Sequence, residues 1–267
     1  MAGELSDSLT AVVDAGGITV GTNFPAGTSF ETLWRRLLAP TLYPTLTAPT
    51  ATLTTTATRL LEAGSSITAT LVAGLNRGSI SPAYGTSGYR SGPAIDYAIN
   101  GGTAQAETNF EVTVDEDHTS FTATVNYEAG EQPLDSDGGD YETALEAGSV
   151  NSPALTFELV DALWANTSAI ATIAKLPLVS KTEKEFVFSF PPATVTNPET
   201  FDVPANWNIT NILVLNTLAN TWDPDETEFT ATDVAHDNAA STSVNYKRYT
   251  CNLPYAMGER KIKIKWS

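Results

Sequence analysis

The 267-residue sequence has a single cysteine, Cys251, and only two histidines, His118 and His236. One thiol makes no internal disulfide, and with two imidazoles it cannot complete a structural zinc site of the usual Cys/His kind. Basic residues are scarce: 14 Lys and Arg stand against 31 Asp and Glu, a formal net charge of −17. A chain of that sign repels a phosphate backbone, so no nucleic-acid partner is expected. Long apolar runs are missing too. Stretches such as Ile212-Leu-Val-Leu215 fall far short of the roughly 18 residues of a spanning helix, so no membrane partner is expected. The opening residues Met1-Ala-Gly-Glu-Leu-Ser-Asp-Ser8 are acidic and polar, unlike the basic and then apolar start of a secretion signal, and imply folding in a cytoplasm. Catalytic signatures are lacking as well: there is no Gly-x-Ser-x-Gly elbow, no His-Glu-x-x-His, no phosphate loop and no Gly-x-Gly-x-x-Gly between a strand and a helix. The expectation is a protein that is not an enzyme, with no catalytic residue, no cofactor and no metal ligand set. Paired carboxylates are plentiful at this charge, which leaves glycoside hydrolysis as a residual reading only.

Thr fills about one position in seven and charged residues only 17%, so hydroxyls supply much of the polarity, which suits strands. Residues 1–27 are rich in Gly, Thr and Ser and predict an extended arm or a short strand with turns. A short amphipathic helix follows. Thr28 and Glu31 have the spacing of a capping box, and Phe30, Leu33, Trp34, Leu37 and Leu38 form one apolar stripe, with Arg35 and Arg36 near the carboxyl end and Pro40 and Pro44 as stops. The stripe is expected to dock on a sheet of the same chain, with another subunit as the alternative.

From Thr45 onward the period changes to two. Ile67, Ala69, Leu71 and Ala73 alternate with polar or outward positions, as do Phe110, Val112 and Val114, then Phe121, Ala123 and Val125. Phe186–Phe190, Asn211–Asn216 and Lys261–Trp266 continue the pattern, the last with lysines of the kind that guard a sheet edge. Thr108-Asn-Phe110 followed by Val125-Asn-Tyr127 is echoed, 119 residues later, by Thr227-Glu-Phe229 followed by Val244-Asn-Tyr246. That spacing reads as duplication. The expected fold class is all-β: two immunoglobulin-like β-sandwich domains, 41–150 and 151–267, preceded by an N-terminal arm and anchoring helix at 1–40.

Four groups of residues could carry chemistry. His118 and His236 lie in acidic stretches, Asp115-Glu-Asp-His118 and Ala235-His-Asp237, and are expected at solvated turn tips between paired strands. Asp135-Ser-Asp-Gly-Gly-Asp140 has the alternating carboxylates of the first half of a calcium loop, or is a plain acidic turn; the downstream positions do not complete an EF-hand. Tyr84, Tyr89 and Tyr97, with Arg77 and Arg90, lie in the Gly/Ser-rich segment 76–102, a composition suited to a recognition surface such as a glycan site, or to packing over strand ends. Trp164, Trp207, Trp222 and Trp266 are expected in a core or an interface.

The run Gly16-Gly-Ile-Thr-Val-Gly-Thr-Asn-Phe-Pro-Ala-Gly-Thr-Ser-Phe-Glu31, then Leu37-Leu-Ala-Pro40, resembles the opening of virion structural proteins of tailed bacteriophages, particularly those of Bacteroidales hosts, including crAss-like phages. Phe186-Val-Phe-Ser-Phe-Pro-Pro192 and Val244-Asn-Tyr-Lys-Arg-Tyr249 are similar to repeated domains of capsid-associated, fibre and tail proteins of such phages. Phe157-Glu-Leu-Val-Asp-Ala-Leu-Trp164 departs from the basic, aromatic character of those relatives. The resemblance implies a virion location and a structural role as an auxiliary or decoration protein of the head, or as a fibre-base subunit. It also implies other virion proteins and further copies of the chain as partners, the N-terminal region as the attachment, and a host-surface glycan as the alternative partner.

Overall fold

The structure, a computed structural model, describes residues 3–12, 18, 20–38, 41–169, 172–194, 196–252 and 257–267. Gly16, Gly17, Thr19, Ala39 and Pro40 of the N-terminal motif lie outside them. The described chain is all-β apart from one α-helix, Phe30–Leu38, and one 3₁₀ turn, Glu226–Glu228. It divides into two compact units: Met1–Leu53 with Val72–Thr108 and Thr122–Pro153, and Thr54–Leu71 with Asn109–Phe121 and Ala154–Ser267. The expected boundaries at 40 and 150 were contiguous, and these units are not. Strand pairing gives the reason. Leu60–Glu62 runs parallel to Glu158–Val160, and Ser120–Phe121 pairs with Leu155–Thr156, which ties middle segments to the C-terminal half.

In the first unit a hairpin joins Leu9–Thr10 to Asn23–Phe24, and Thr45–Thr47 pairs with Ser79–Ser81. Ala123–Tyr127 is the middle strand between Ala94–Ile99 and Gly148–Asn151. Its inward positions Ala123, Val125 and Tyr127 are buried, as the period-two pattern requires.

The second unit contains a β-sandwich-like core. One sheet has five strands, in the order Thr172–Lys175, Trp164–Ala169, Thr200–Pro204, Ser243–Cys251, Phe229–Asp237; the other has four, Glu185–Phe190, Arg260–Trp266, Ile209–Asn216, Thr221–Pro224. Phe201, Val203, Phe229 and Cys251 from the first sheet share one buried cluster with Phe188, Phe190, Ile212, Ile262, Ile264 and Trp266 from the second. Phe188 and Phe201 stack with centroids 4.8 Å apart. Each such side chain contributes about 1.5–3 kcal/mol on burial, and those terms hold the two sheets together.

Two expectations change here. Arg260–Trp266 is an interior strand, bonded to Glu185–Phe190 on one side and Ile209–Asn216 on the other. Its lysines therefore guard no edge: Lys263 lies 4.5 Å from the Trp222 ring and 3.8 Å from Glu185, and Lys265 is 4.0 Å from the same carboxylate. The 119-residue offset, in turn, does not extend to pairing. Phe229–Asp237 and Ser243–Cys251 form a nine-residue hairpin, whereas Asn109–Val114 is bonded to Ile67–Asn76 and Ala123–Tyr127 belongs to a different sheet.

Candidate functional site

The helix begins one residue later than the expected box. The Thr28 hydroxyl donates to Pro25 O at 2.7 Å and so serves the preceding turn, leaving Ser29 as the cap, whose Oγ accepts from Thr32 N–H at 3.2 Å. Glu31 does not reach back; it pairs with Arg35 one turn on, at 2.9 Å. Residues 3–5 brace the entry. Phe30 N–H donates to Gly3 O at 2.8 Å and Leu5 N–H to Thr28 O at 2.9 Å. A side chain at position 3 would strike the Phe30 ring.

The apolar stripe splits lengthwise. Leu33 and Leu37 face the hairpin across an apolar recess of about 290 Å³ that Leu9, Val12, Ile18 and Phe24 also line. Phe30, Trp34 and Leu38, at i, i+4 and i+8, stay 48%, 61% and 76% exposed, and no helix residue is buried. The expected docking on a sheet of the same chain is therefore corrected. The sheet across that recess is a hairpin with two residues in each strand, too small to cover an arc this wide.

The tyrosine segment is more structured than a free loop. Arg77 lies 4.1 Å over the Tyr89 ring and donates from Nε to Ser91 O at 3.0 Å. Arg90 donates to Thr143 O at 3.0 Å and sits 3.6 Å from Glu142. Tyr84 is half-buried with φ 43°, and Tyr97 belongs to the Ala94–Ile99 strand, bonded both ways to Gln105. The three tyrosines do not form one face. Instead Tyr43 and Tyr141, which the sequence did not single out, stack at 4.9 Å. The 135–140 run closes on itself: Asp135 Oδ1 accepts from Asp137 N–H at 2.9 Å and Gly139 N–H at 2.8 Å, Gly138 takes φ 81°, and Thr41 Oγ1 donates to Asp137 Oδ2. That is the geometry of an acidic turn held by its own aspartate.

His118 lies in an exposed turn, but the strands on either side of it, Asn109–Val114 and Ser120–Phe121, pair with other strands and not with each other; its Nδ1 is 2.8 Å from Asp115, whose carboxyl this bond holds below its usual range. His236 is not in a turn. It lies within the Phe229–Asp237 strand, mostly buried, and its Nε2 meets Asp202 at 2.6 Å. Asp202 is wholly buried and also receives Arg248 Nε and Nη2, each at 2.8 Å. Trp164 stacks on the His236 ring at 4.2 Å, Tyr246 meets it edge-on at 4.9 Å, and desolvation pushes the Tyr246 hydroxyl up to about 12. The turn reading failed because the hairpin continues past His236 to Asp237, with its loop at 238–242. Trp207 and Trp266 stack at 4.3 Å at the core.

A second buried charge lies at Glu199, 1% exposed, 3.2 Å from Arg260, which also binds Asp225. Desolvation outweighs Arg260 and raises the Glu199 carboxyl to about 7, with Asp225 adding repulsion. Neither carboxylate was marked by spacing; Arg248 and Arg260, each three or fewer residues from a core position, were the only signal. Among the described residues no group of three His, Cys, Asp or Glu side chains is placed to hold a metal, and no helix is long and apolar enough to cross a membrane.

No family model, curated protein or solved structure matches the chain.

Proposed function

We propose that this chain is a non-enzymatic structural component of a tailed-phage virion, an auxiliary or decoration protein of the head or a fibre-base subunit, attached through its N-terminal region and present in many copies. The observation that carries this reading is the uncovered arc Phe30, Trp34, Leu38 on a helix that is already capped and braced. Large apolar side chains held in solvent on a formed element are an association surface, and the N-terminal phage resemblance names the kind of partner. Within this role we read the C-terminal sandwich as immunoglobulin-like. The charge of −17 keeps such chains soluble and apart at high copy number. Deleting residues 1–40 is expected to abolish incorporation into particles while leaving a β-type circular dichroism spectrum. Incorporation at the full-length level would overturn the assignment.

A host-surface glycan-binding role is the second reading. It is favoured by the exposure of Tyr43, Tyr89 and Tyr141 in the first unit.

A further inference from the structure

We propose that Tyr43 and Tyr141 form a binding platform for neutral carbohydrate, which rests on the second reading above and adds to it a site and a ligand class. The rings stack at 4.9 Å and 25°, yet Tyr43 remains 58% and Tyr141 38% exposed. The pair is built rather than incidental. Leu42 N–H donates to Ser136 Oγ and Ser136 N–H to Leu42 O, both at 2.9 Å; Thr41 Oγ1 donates to Asp137 at 2.7 Å; Tyr141 N–H donates to Pro133 O at 2.9 Å. These bonds fix both backbones before any ligand arrives, so little ordering cost remains on binding.

The exposed face of an aromatic ring carries the negative part of its quadrupole, which attracts the polarised C–H bonds of a pyranose face. Tyr141 backs Tyr43 and holds its ring in place. The exposed carboxylates Asp137 and Asp140, in the turn that carries Tyr141, supply acceptors for sugar hydroxyls in charge-assisted hydrogen bonds. The local charge selects the class. Residues 131–146 contain six acidic side chains and no Lys or Arg, and the neighbouring Arg90 is engaged by Glu142 and Thr143 O. Uronates, sialic acids and sulfated glycans are repelled, and uncharged hexoses are not.

The test is affinity electrophoresis of the full chain through gels containing mannan, dextran, xylan or arabinogalactan, with alginate as the acidic control. Retarded migration in at least one neutral gel and none in alginate is expected. Tyr43→Ala should weaken that retardation about tenfold or more, Tyr43→Leu should match it because an apolar group without a ring does not serve, and Tyr43→Phe and Tyr43→Trp should retain it. Tyr84→Ala should leave it unchanged. Tyr43 is exposed, so an unaltered melting temperature verifies the fold of each variant. Retardation that survives Tyr43→Ala and Tyr141→Ala overturns this site while sparing the glycan reading. Absence of retardation in every neutral gel overturns both, and a preference for alginate overturns the ligand class.

Discussion

Replacing Glu199 with glutamine should stabilise the C-terminal sandwich at alkaline pH and leave it nearly unchanged at acidic pH. Glu199 is 1% exposed, and its folded-state pKa of about 7 lies above the ordinary 4.5 of a glutamate side chain. A raised folded pKa means the folded chain holds this proton more tightly than the unfolded chain does. The resulting stability is full below about pH 4.5 and is lost as pH climbs to about 7, where the charged form must be kept in the interior. The difference of about 2.5 units corresponds to roughly 3 kcal/mol at pH 8 and above, at about 1.4 kcal/mol per unit. Glutamine keeps the shape and carries no charge. Arg260 retains Asp225 at 2.5 Å, so the substitution does not strand a buried cation, and it removes the repulsion between the two carboxylates. Urea unfolding of both proteins at pH 5, 6, 7 and 8, followed by tryptophan fluorescence, reads the difference directly. The variant's advantage should grow by up to about 1.4 kcal/mol per pH unit and level off above pH 7. A difference that stays flat from pH 5 to 8, or that favours wild type as pH rises, would refute the argument.

Asp202→Ala removes the shared partner of Arg248 and His236 and should cost about 3–5 kcal/mol in urea unfolding, because it leaves a guanidinium without its buried counter-ion; a loss under 1 kcal/mol would show that water already screens the pair. Ser29→Ala should cost the helix about 1 kcal/mol, read as faster hydrogen exchange at Thr32, and unchanged exchange would count against the cap. Millimolar calcium should leave the melting temperature where it is, since Asp135 already serves two N–H groups of its own turn; a rise would reveal a native-state ligand. Trp34→Glu should abolish particle incorporation with little effect on the melting temperature, because the side chain is 61% exposed, and full incorporation would argue that the helix face touches nothing.

The strands were legible because burial on one face imposes period two on the residues. Ile262, Ile264 and Trp266 fall on the core side and Lys261, Lys263 and Lys265 on the other, as written in the chain. Which strands become neighbours was not legible, since alternation gives a strand its faces and says nothing of its edges. Lysines on Arg260–Trp266 therefore suggested an edge, while the structure bonds that strand on both sides. The same limit undid the repeat: equal spacing of Phe110 to Tyr127 and Phe229 to Tyr246 does not require equal pairing. Candidate sites divided likewise. The helix stripe could be seen in one window of sequence. Tyr43 and Tyr141 are brought together by hydrogen bonds between loops distant in sequence, and Asp202 with His236 and Arg248 by long-range strand pairing.

The braced helix also changes how attachment should work. A nine-residue helix is too short to persist alone in water, since nucleation costs more than so few bonds return. A loose arm would therefore order only on its partner and spend binding free energy in doing so. Here the helix is already closed at its start by Ser29 and by the chain at Gly3 and Leu5, and Leu33 and Leu37 lean toward the Leu9–Phe24 hairpin. The most exposed apolar side chains of the helix are the arc of Phe30, Trp34 and Leu38, presented on a formed surface. On the proposed attachment role, binding through that arc would behave as rigid docking, in which affinity follows the apolar area of three side chains and not the helix-forming tendency of the segment. Substitutions that weaken the brace, such as a side chain at Gly3, then lower attachment only to the extent that they melt the helix. Substitution of Trp34 removes the contact and leaves the helix standing.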